Sequence, residues 1–352
     1  MLKIVRIESN KPRELLDIGW DPTNYCNFNC SYCFPGCNTG TEKFEGEIDI
    51  LVKNFQHLFD YYKIHLGKTK INLSVSGGEP TLWKDLDKFI VSIKEKNHVY
   101  FSLISNGSRS IRWWKENANM IDNAHLSHHL EQGNVEHITS VADILHDAGS
   151  KVTVKVLMDI RYWKKGLTDI NYMKKNSRNK WFITVSPVID NSENSVQKYD
   201  DNQQKYLNRE IKRIPSIFWF WKNRKLFKTS MRLFDSRIFF ENGKTINGTN
   251  SVYLNRGLNF FKGWSCSIGL DRIFIDWTGE LKGSCGTRLY NLPYHYNIKD
   301  PNFKKIFKPI MDQTICTKDE CWCSPEIHLT KINLSQRNIR GTRTIIPITN
   351  YR

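Results

Sequence analysis

The sequence predicts an α/β protein: a partial (β/α)6 barrel with parallel strands, followed by a smaller, loop-rich C-terminal part. Three observations carry this expectation. Strand-like runs alternate with helical patterns between residues 15 and 190. The alternation repeats about every 29 residues, close to the ~30 of a βαβ unit. It also stops short of the roughly 250 residues that a closed eight-stranded barrel needs. A parallel sheet with helices packed outside follows, with a ligand site where the loops leave the C-terminal strand ends.

The strands are expected at 15–20, 71–76, 99–105, 124–129, 152–158 and 181–186, each rich in β-branched or aromatic residues and most bounded by turn residues. Between them, Leu51, Phe55, Leu58, Phe59 and Tyr62 repeat at three and four, as do Leu86, Phe89, Ile90 and Ile93. Val135, Ile138, Val141, Ile144, Leu145 and Ala148 form a third helical stripe, and Gly149 stands where a C-terminal cap glycine belongs. These units define a barrel at residues 1–195.

Beyond Asn191 the composition changes. Residues 191–195 read as a loop and 197–214 as a helix that Pro215 ends. Residues 216–240 mix Trp, Phe, Lys and Arg without a period, so 196–258 reads as a basic, aromatic, partly helical connecting region. Residues 259–330 hold a second group of cysteines and one hairpin, 271–276 and 281–285, joined by Trp277-Thr278-Gly279-Glu280. A basic tail, 331–352, ends the sequence.

Composition narrows the class. The chain has 352 residues, 39% hydrophobic and 25% charged, which is ordinary for a globular protein with a real core. No apolar run approaches the roughly 20 residues of a bilayer span. The first residues carry charges where a signal peptide has its apolar region. No membrane association and a cytoplasmic location are the expectation. Nine cysteines in such a chain read as metal ligands before disulfides. They fall into two groups, so two metal sites are expected.

Cys26, Cys30 and Cys33 place three thiolates within eight residues, just after the first barrel strand. Soft sulfur suits zinc or an iron–sulfur cluster. A closed zinc site needs a fourth ligand, for which Cys37 is at hand. A cubane held by three cysteines instead keeps one iron open, which makes it a catalytic centre.

The x3, x2 cysteine spacing with Tyr32 before the third resembles the signature loop of the radical S-adenosylmethionine (radical SAM) enzymes. Gly77-Gly78-Glu79-Pro80, at the end of the next strand, resembles that family's second motif, whose backbone meets the methionine amino group. The resemblance covers about residues 15–190. It implies a [4Fe–4S] cluster on Cys26, Cys30 and Cys33 that binds S-adenosylmethionine. It also implies a reductant of the flavodoxin or ferredoxin type, and reductive cleavage to a 5′-deoxyadenosyl radical that takes hydrogen from a substrate. By the same resemblance, Ser105 and Asn106 are expected near the ribose. Ser127 and His129, on one face of their strand, are expected near the adenosine.

Cys266, Cys285, Cys316, Cys321 and Cys323, around a hairpin with an Asp276-x-x-Gly279 turn, resemble the auxiliary-cluster domains called SPASM or twitch. The spacing departs by one residue between Gly279 and Cys285. Five cysteines suffice for one auxiliary [4Fe–4S] cluster and not for two; a structural zinc knuckle is the alternative. Relatives with such domains often modify peptides, so a peptide or protein side chain is the expected substrate. The net charge of +16 and the basic, aromatic stretch at 209–240 make nucleic acid or a nucleotide the alternative. A non-catalytic iron–sulfur or zinc module is the third reading.

Overall fold

The structure is a computed structural model. It describes residues 3–33, 38, 40, 47–177, 180–190, 195–211, 236–248, 252–253, 256–283, 289, 295–309, 311–321 and 324–336. Cys37, Cys285, Cys323, most of the basic, aromatic stretch and the C-terminal tail lie outside them.

In chain order the elements are β1 (Ile4–Ser9), β2 (Leu15–Trp20), α1 (Ile48–Leu66), β3 (Lys70–Val75), α2 (Leu86–Lys96), β4 (Val99–Ser105), α3 (Ile111–Asn117) and β5 (Asn123–His129). They continue with α4 (Val135–Asp147), β6 (Lys151–Leu157), α5 (Trp163–Ser177), β7 (Phe182–Ser186), β8 (Ile189–Asp190), β9 (Ser195–Val196) and α6 (Asp201–Ile211). The C-terminal part adds β10 (Ser236–Phe240), β11 (Thr245–Gly248), β12 (Ser265–Cys266), β13 (Arg272–Ile275), β14 (Leu281–Lys282), β15 (Thr314–Ile315) and β16 (Lys331–Ile332).

The main sheet has the order β14-β13-β2-β3-β4-β5-β6-β7. Strands β2 to β7 run parallel in sequence order, the βαβ arrangement that the alternation predicts. The sheet does not close. Its outer face is apolar because successive strand residues alternate sides. Leu126, Val152, Val154 and Val156 pack there against Val141 and Leu145 of α4. Trp20 lies 5.1 Å from Phe55 and 4.9 Å from Phe89, joining β2 to α1 and α2. Gly67 (φ 65°) and Gly149 (φ 97°) take the left-handed conformation beyond α1 and α4, as chain reversal there requires.

The inner face is polar and forms a chamber. At its floor Asp17 accepts hydrogen bonds from Lys11 Nζ (2.6 Å), Asn72 Nδ2 (2.8 Å) and Arg272 Nη1 (2.7 Å). The Ser102 hydroxyl donates to Asn72 Oδ1, and the Asn123 amide donates both to Ser102 Oγ and to His125 Nε2. A hydrogen-bonded row therefore crosses the floor from β2 to β5.

Two expected boundaries change. The hairpin assigned to the C-terminal part joins the barrel: β13 pairs in parallel with β2, Arg272 beside Asp17 and Ile275 beside Trp20. A seventh parallel strand thus covers the edge that β2 would otherwise expose. In exchange β1, from the segment expected to precede the barrel strands, belongs to a second sheet of order β11-β10-β1-β16-β12-β15. It pairs antiparallel with β10 and β16, burying Ile7 beside Ile238. Among the described residues, no helix is long and apolar enough to cross a membrane.

Candidate functional site

The site stands at the C-terminal ends of β2 to β6. The chain leaving β2 runs through Thr23, Asn24 and Tyr25 to Cys26, and the Gly77-Gly78 turn after β3 docks on it backbone to backbone. Gly78 N–H donates to the Thr23 carbonyl and Glu79 N–H to the Tyr25 carbonyl, each at 2.8 Å. A Cβ at Gly78 would lie 2.2 Å from Tyr25 O, and one at Gly77 (φ 111°) 2.4 Å from Thr23 O. Both glycines are there because the two loops touch.

Glu79 is fully buried. Its carboxylate accepts from Thr81 N–H (3.0 Å), the Thr81 hydroxyl, the Ser105 hydroxyl (2.8 Å) and Asn106 N–H (2.7 Å). Burial raises its pKa against the pull of these donors. Pro80 then opens a single 3₁₀ turn. Glu79 thereby ties the glycine turn to the end of β4. Ser105 is buried, with its hydroxyl donating to Glu79 and accepting from Gly107 N–H. Asn106 points its amide at Asn27 Oδ1 (3.1 Å) and Cys26 Sγ (3.7 Å), beside the cysteine loop.

The three cysteines lie on one short loop. Cys30 Sγ is 3.3 Å from His129 Nδ1, and the Tyr32 hydroxyl is 3.1 Å from the same nitrogen. Tyr32 stacks on the His129 ring and Phe28 meets its edge. Burial pushes the Cys30 thiol up to about 12, and the charges of Glu131, Cys33 and Cys26 add to the rise. Burial holds His129 down to about 4, so its ring is neutral. Among the described residues no three Cys, His, Asp or Glu side chains already close around a metal ion. The donor set nonetheless fits an iron–sulfur cluster: three adjacent soft sulfurs that lose their protons when metal binds.

Ser127 and His129 share the chamber face of β5 with His125, while His128 turns outward to Asp169 at 2.7 Å. The alternation expected along this strand is therefore found. At the end of β2, Asp21 accepts from the Ser76 hydroxyl, and burial raises its carboxyl to about 6.

One part of the site carries no sequence motif. Glu131, just past β5, accepts from Ser31 N–H (2.9 Å) and the Ser31 hydroxyl (2.7 Å). Arg161, past β6, bonds Glu131, Ser31 and Asp159. This network holds the stretch between Cys30 and Cys33 against the rim. Its only local sign is Asp159-x-Arg161, where Asp159 Oδ1 accepts Arg161 N–H at 2.9 Å as an Asx turn.

In the second sheet Cys266 is buried on β12, and its thiol is pushed up to about 11 by burial, with Cys316 close enough to contribute. Cys316 N–H donates to Trp264 O, next to β12, and Cys321 N–H donates to Asn259 O. Cys285 and Cys323 lie outside the described residues.

Comparison with known proteins agrees with the site. Residues 20–161 match the model of the Radical SAM superfamily. An S-adenosylmethionine-dependent nucleotide dehydratase from Thermoplasmatales archaeon (strain ISO4-H5) is 28% identical over 158 residues, 40% of this chain and 51% of that protein. A GTP 3',8-cyclase from Campylobacter lari is 34% identical over 87 residues, 24% of this chain and 26% of that protein. The chain thus spans about half, or less, of the length of these curated relatives. The solved structure of native anSMEcpe with bound AdoMet superposes with a TM-score of 0.46 at 16% identity, covering 84% of this chain and 80% of that one. The glycine turn docks on the three-cysteine loop, and the stretch that matches the Radical SAM superfamily, residues 20–161, spans both motifs.

Proposed function

We propose that the protein is a radical SAM enzyme acting on a small, phosphate-bearing substrate of the nucleotide class. The observation that carries the enzymatic reading is the backbone docking of Gly78 and Glu79 on Thr23 and Tyr25, beside the three cysteines. A cluster-binding module without chemistry has no use for that turn. The nucleotide class is supported by the relatives named above, a nucleotide dehydratase and a GTP cyclase.

Cys26, Cys30 and Cys33 would hold a [4Fe–4S] cluster with one iron open to S-adenosylmethionine. When bound, this pair supplies an electron and a 5′-deoxyadenosyl radical that removes hydrogen from substrate. The chain's own residues do the positioning. Gly77 and Gly78 let the turn dock against the approach to the cysteine loop. Glu79 fixes Ser105 and Asn106, so Asn106 faces the cysteine loop rather than solvent. Tyr32, Phe28 and neutral His129 wall the loop, and the polar chamber below receives the substrate out of bulk water.

A peptide or protein side chain is the second reading. The nearness of Cys266 to Cys316 favours it, since with Cys285, Cys321 and Cys323 they would supply an auxiliary cluster able to accept an electron from a substrate radical.

Anaerobic reconstitution tests both readings. Wild-type protein should form 5′-deoxyadenosine under reductant, and Cys26→Ala, Cys30→Ala and Cys33→Ala should each abolish it. About eight irons per chain are expected with an auxiliary cluster, falling to about four in the triple variant. Deuterium moving into 5′-deoxyadenosine from labelled nucleoside triphosphates supports the first substrate class. Transfer only from labelled peptides supports the second, and full activity in Cys30→Ala would overturn the site.

A further inference from the structure

We propose that Lys155, on the chamber face of β6, is the anchor for an anionic group of the substrate, a phosphate or a carboxylate, held just beneath the cysteine loop. The inference deepens the proposed function and rests on it for the molecule to which that anion belongs.

The placement follows from strand alternation. Val152, Val154 and Val156 are buried against the helices, so Thr153, Lys155 and Leu157 face the chamber. Lys155 stands beside Ser127 of β5 and Thr184 of β7 in the sheet register. Leu157 packs against the small cluster formed by Cys30, Tyr32 and Val188. Lys155 stands two residues before Leu157 on the strand, which sets its backbone about 7 Å further from the strand end than that of Leu157.

What singles Lys155 out is charge. Other lysines inside the fold are compensated: Lys11 by Asp17, Lys68 by Asp271, and Lys331 by the carbonyls of Glu326, Ile327 and Leu329. The acids at the floor and rim are engaged as well. Asp17 is held by Lys11 and Arg272, Asp159 and Glu131 by Arg161, and Asp276 by Lys282. Among the described residues no carboxylate pairs with Lys155. The Lys155 side chain is open to solvent on the chamber face, where a ligand can reach it, and the protein around it lowers its pKa from the ordinary lysine value.

Neighbouring groups complete an anion site. Asn123 Nδ2 donates to His125 Nε2 at 2.8 Å, which leaves Nδ1 as the N–H donor of that ring. Burial, with the charge of Lys155, holds His125 down to about 4, so it is a neutral donor near neutral pH. Ile104, beside His125 in the register, exposes an apolar side chain in the same chamber. A cation, a neutral N–H and an apolar wall suit a ligand with an anionic end and an organic body.

The test is binding of two probes, tripolyphosphate and the peptide acetyl-Gly-Asp-Gly-amide, to the full-length purified protein by calorimetry. Lys155→Met should weaken binding of at least one probe by roughly 10-fold or more, the loss of one charged hydrogen bond, while Lys155→Arg stays within about 3-fold. Lys88→Met, on the exposed surface of α2, should match wild type and so exclude diffuse attraction by the net charge. Circular dichroism of Lys155→Met and Lys155→Gln checks that the variants fold. Loss confined to tripolyphosphate names a phosphate, and loss confined to the peptide names a carboxylate; either supports the inference. Unchanged affinity for both probes in folded Lys155→Met overturns it, as does an equal loss in Lys88→Met. Absence of 5′-deoxyadenosine formation from the wild-type protein would sink the enzymatic reading while leaving the anion site to stand on the binding data.

Discussion

Arg272 donates to Asp17 at 2.7 Å across 255 residues of sequence, tying the returning strand β13 to the first barrel strand β2. Lys11 donates to the same carboxylate oxygen, so one acid at the chamber floor holds two cations.

Asp17→Asn should destabilise the fold by about 3–5 kcal/mol in chemical denaturation, since it leaves two buried cations unpaired. Burial alone would raise the Asp17 pKa, but Lys11, Arg272 and Asn72 outweigh it and hold the carboxyl well below the usual range. A depressed folded-state pKa means stability that is present above the unfolded value near 4 and lost as pH falls below it. Wild type should therefore lose stability below about pH 4, and Asp17→Asn should lack that component. Equal acid sensitivity in the two proteins would refute the assignment.

Gly78→Ala places a methyl on the Tyr25 carbonyl. The glycine turn and the cysteine approach must then separate, at a cost on the order of 1–3 kcal/mol. Reconstituted Gly78→Ala should retain far less iron at the cysteine loop and form little 5′-deoxyadenosine. Normal iron content with normal product would show that the docking is dispensable.

Glu79→Ala removes the acceptor for two backbone and two hydroxyl donors, leaving Asn106 N–H and the Ser105 hydroxyl buried without their partner. A stability loss of about 3 kcal/mol is expected. S-adenosylmethionine affinity, measured by equilibrium dialysis on the reconstituted protein, should fall with it. Glu79→Gln should recover part of the stability, because one of its two acceptor positions remains.

Glu131→Ala frees Ser31, between Cys30 and Cys33, from the rim. Because no cysteine is altered, the cluster should still assemble but should be lost faster to a chelator. The decay of its visible absorbance gives the rate. Arg161→Ala should behave similarly, and a double variant little worse than either single one would confirm a shared network.

Much of the barrel was legible because its signals are local. Leu15–Trp20 reads as a strand buried on both faces, and Ser127 and His129 fall on one face by simple alternation. The cysteine loop and glycine turn were legible as motifs, although their mutual docking was not. What escaped depends on pairing across long separations. Nothing in Ile4–Ser9 announces partners at Ser236–Phe240 and Lys331–Ile332. Nothing near Arg272 announces Asp17, so the sequence alone places the hairpin with the C-terminal part although β13 pairs with β2. Glu131 and Arg161 bear on Ser31 from 100 and 130 residues away. Ser105 shows the subtler failure: its position at a strand end was evident, but the direction of its hydroxyl depends on where Glu79 is buried.

The interleaving of the two sheets sets an order of events during synthesis. Strands β2 to β7 meet their neighbours within a few tens of residues, so each can dock soon after it leaves the ribosome. β1 emerges before all of them yet must wait for β10, more than 220 residues later. At ribosomal speeds of 5–20 residues per second that wait is roughly 10–50 s. Throughout it, a strand with two open edges is available to any chain that holds it, whether chaperone or neighbouring copy. Slowing translation upstream of residue 236 should therefore lower soluble yield, while supplying β10 earlier by circular permutation should raise it.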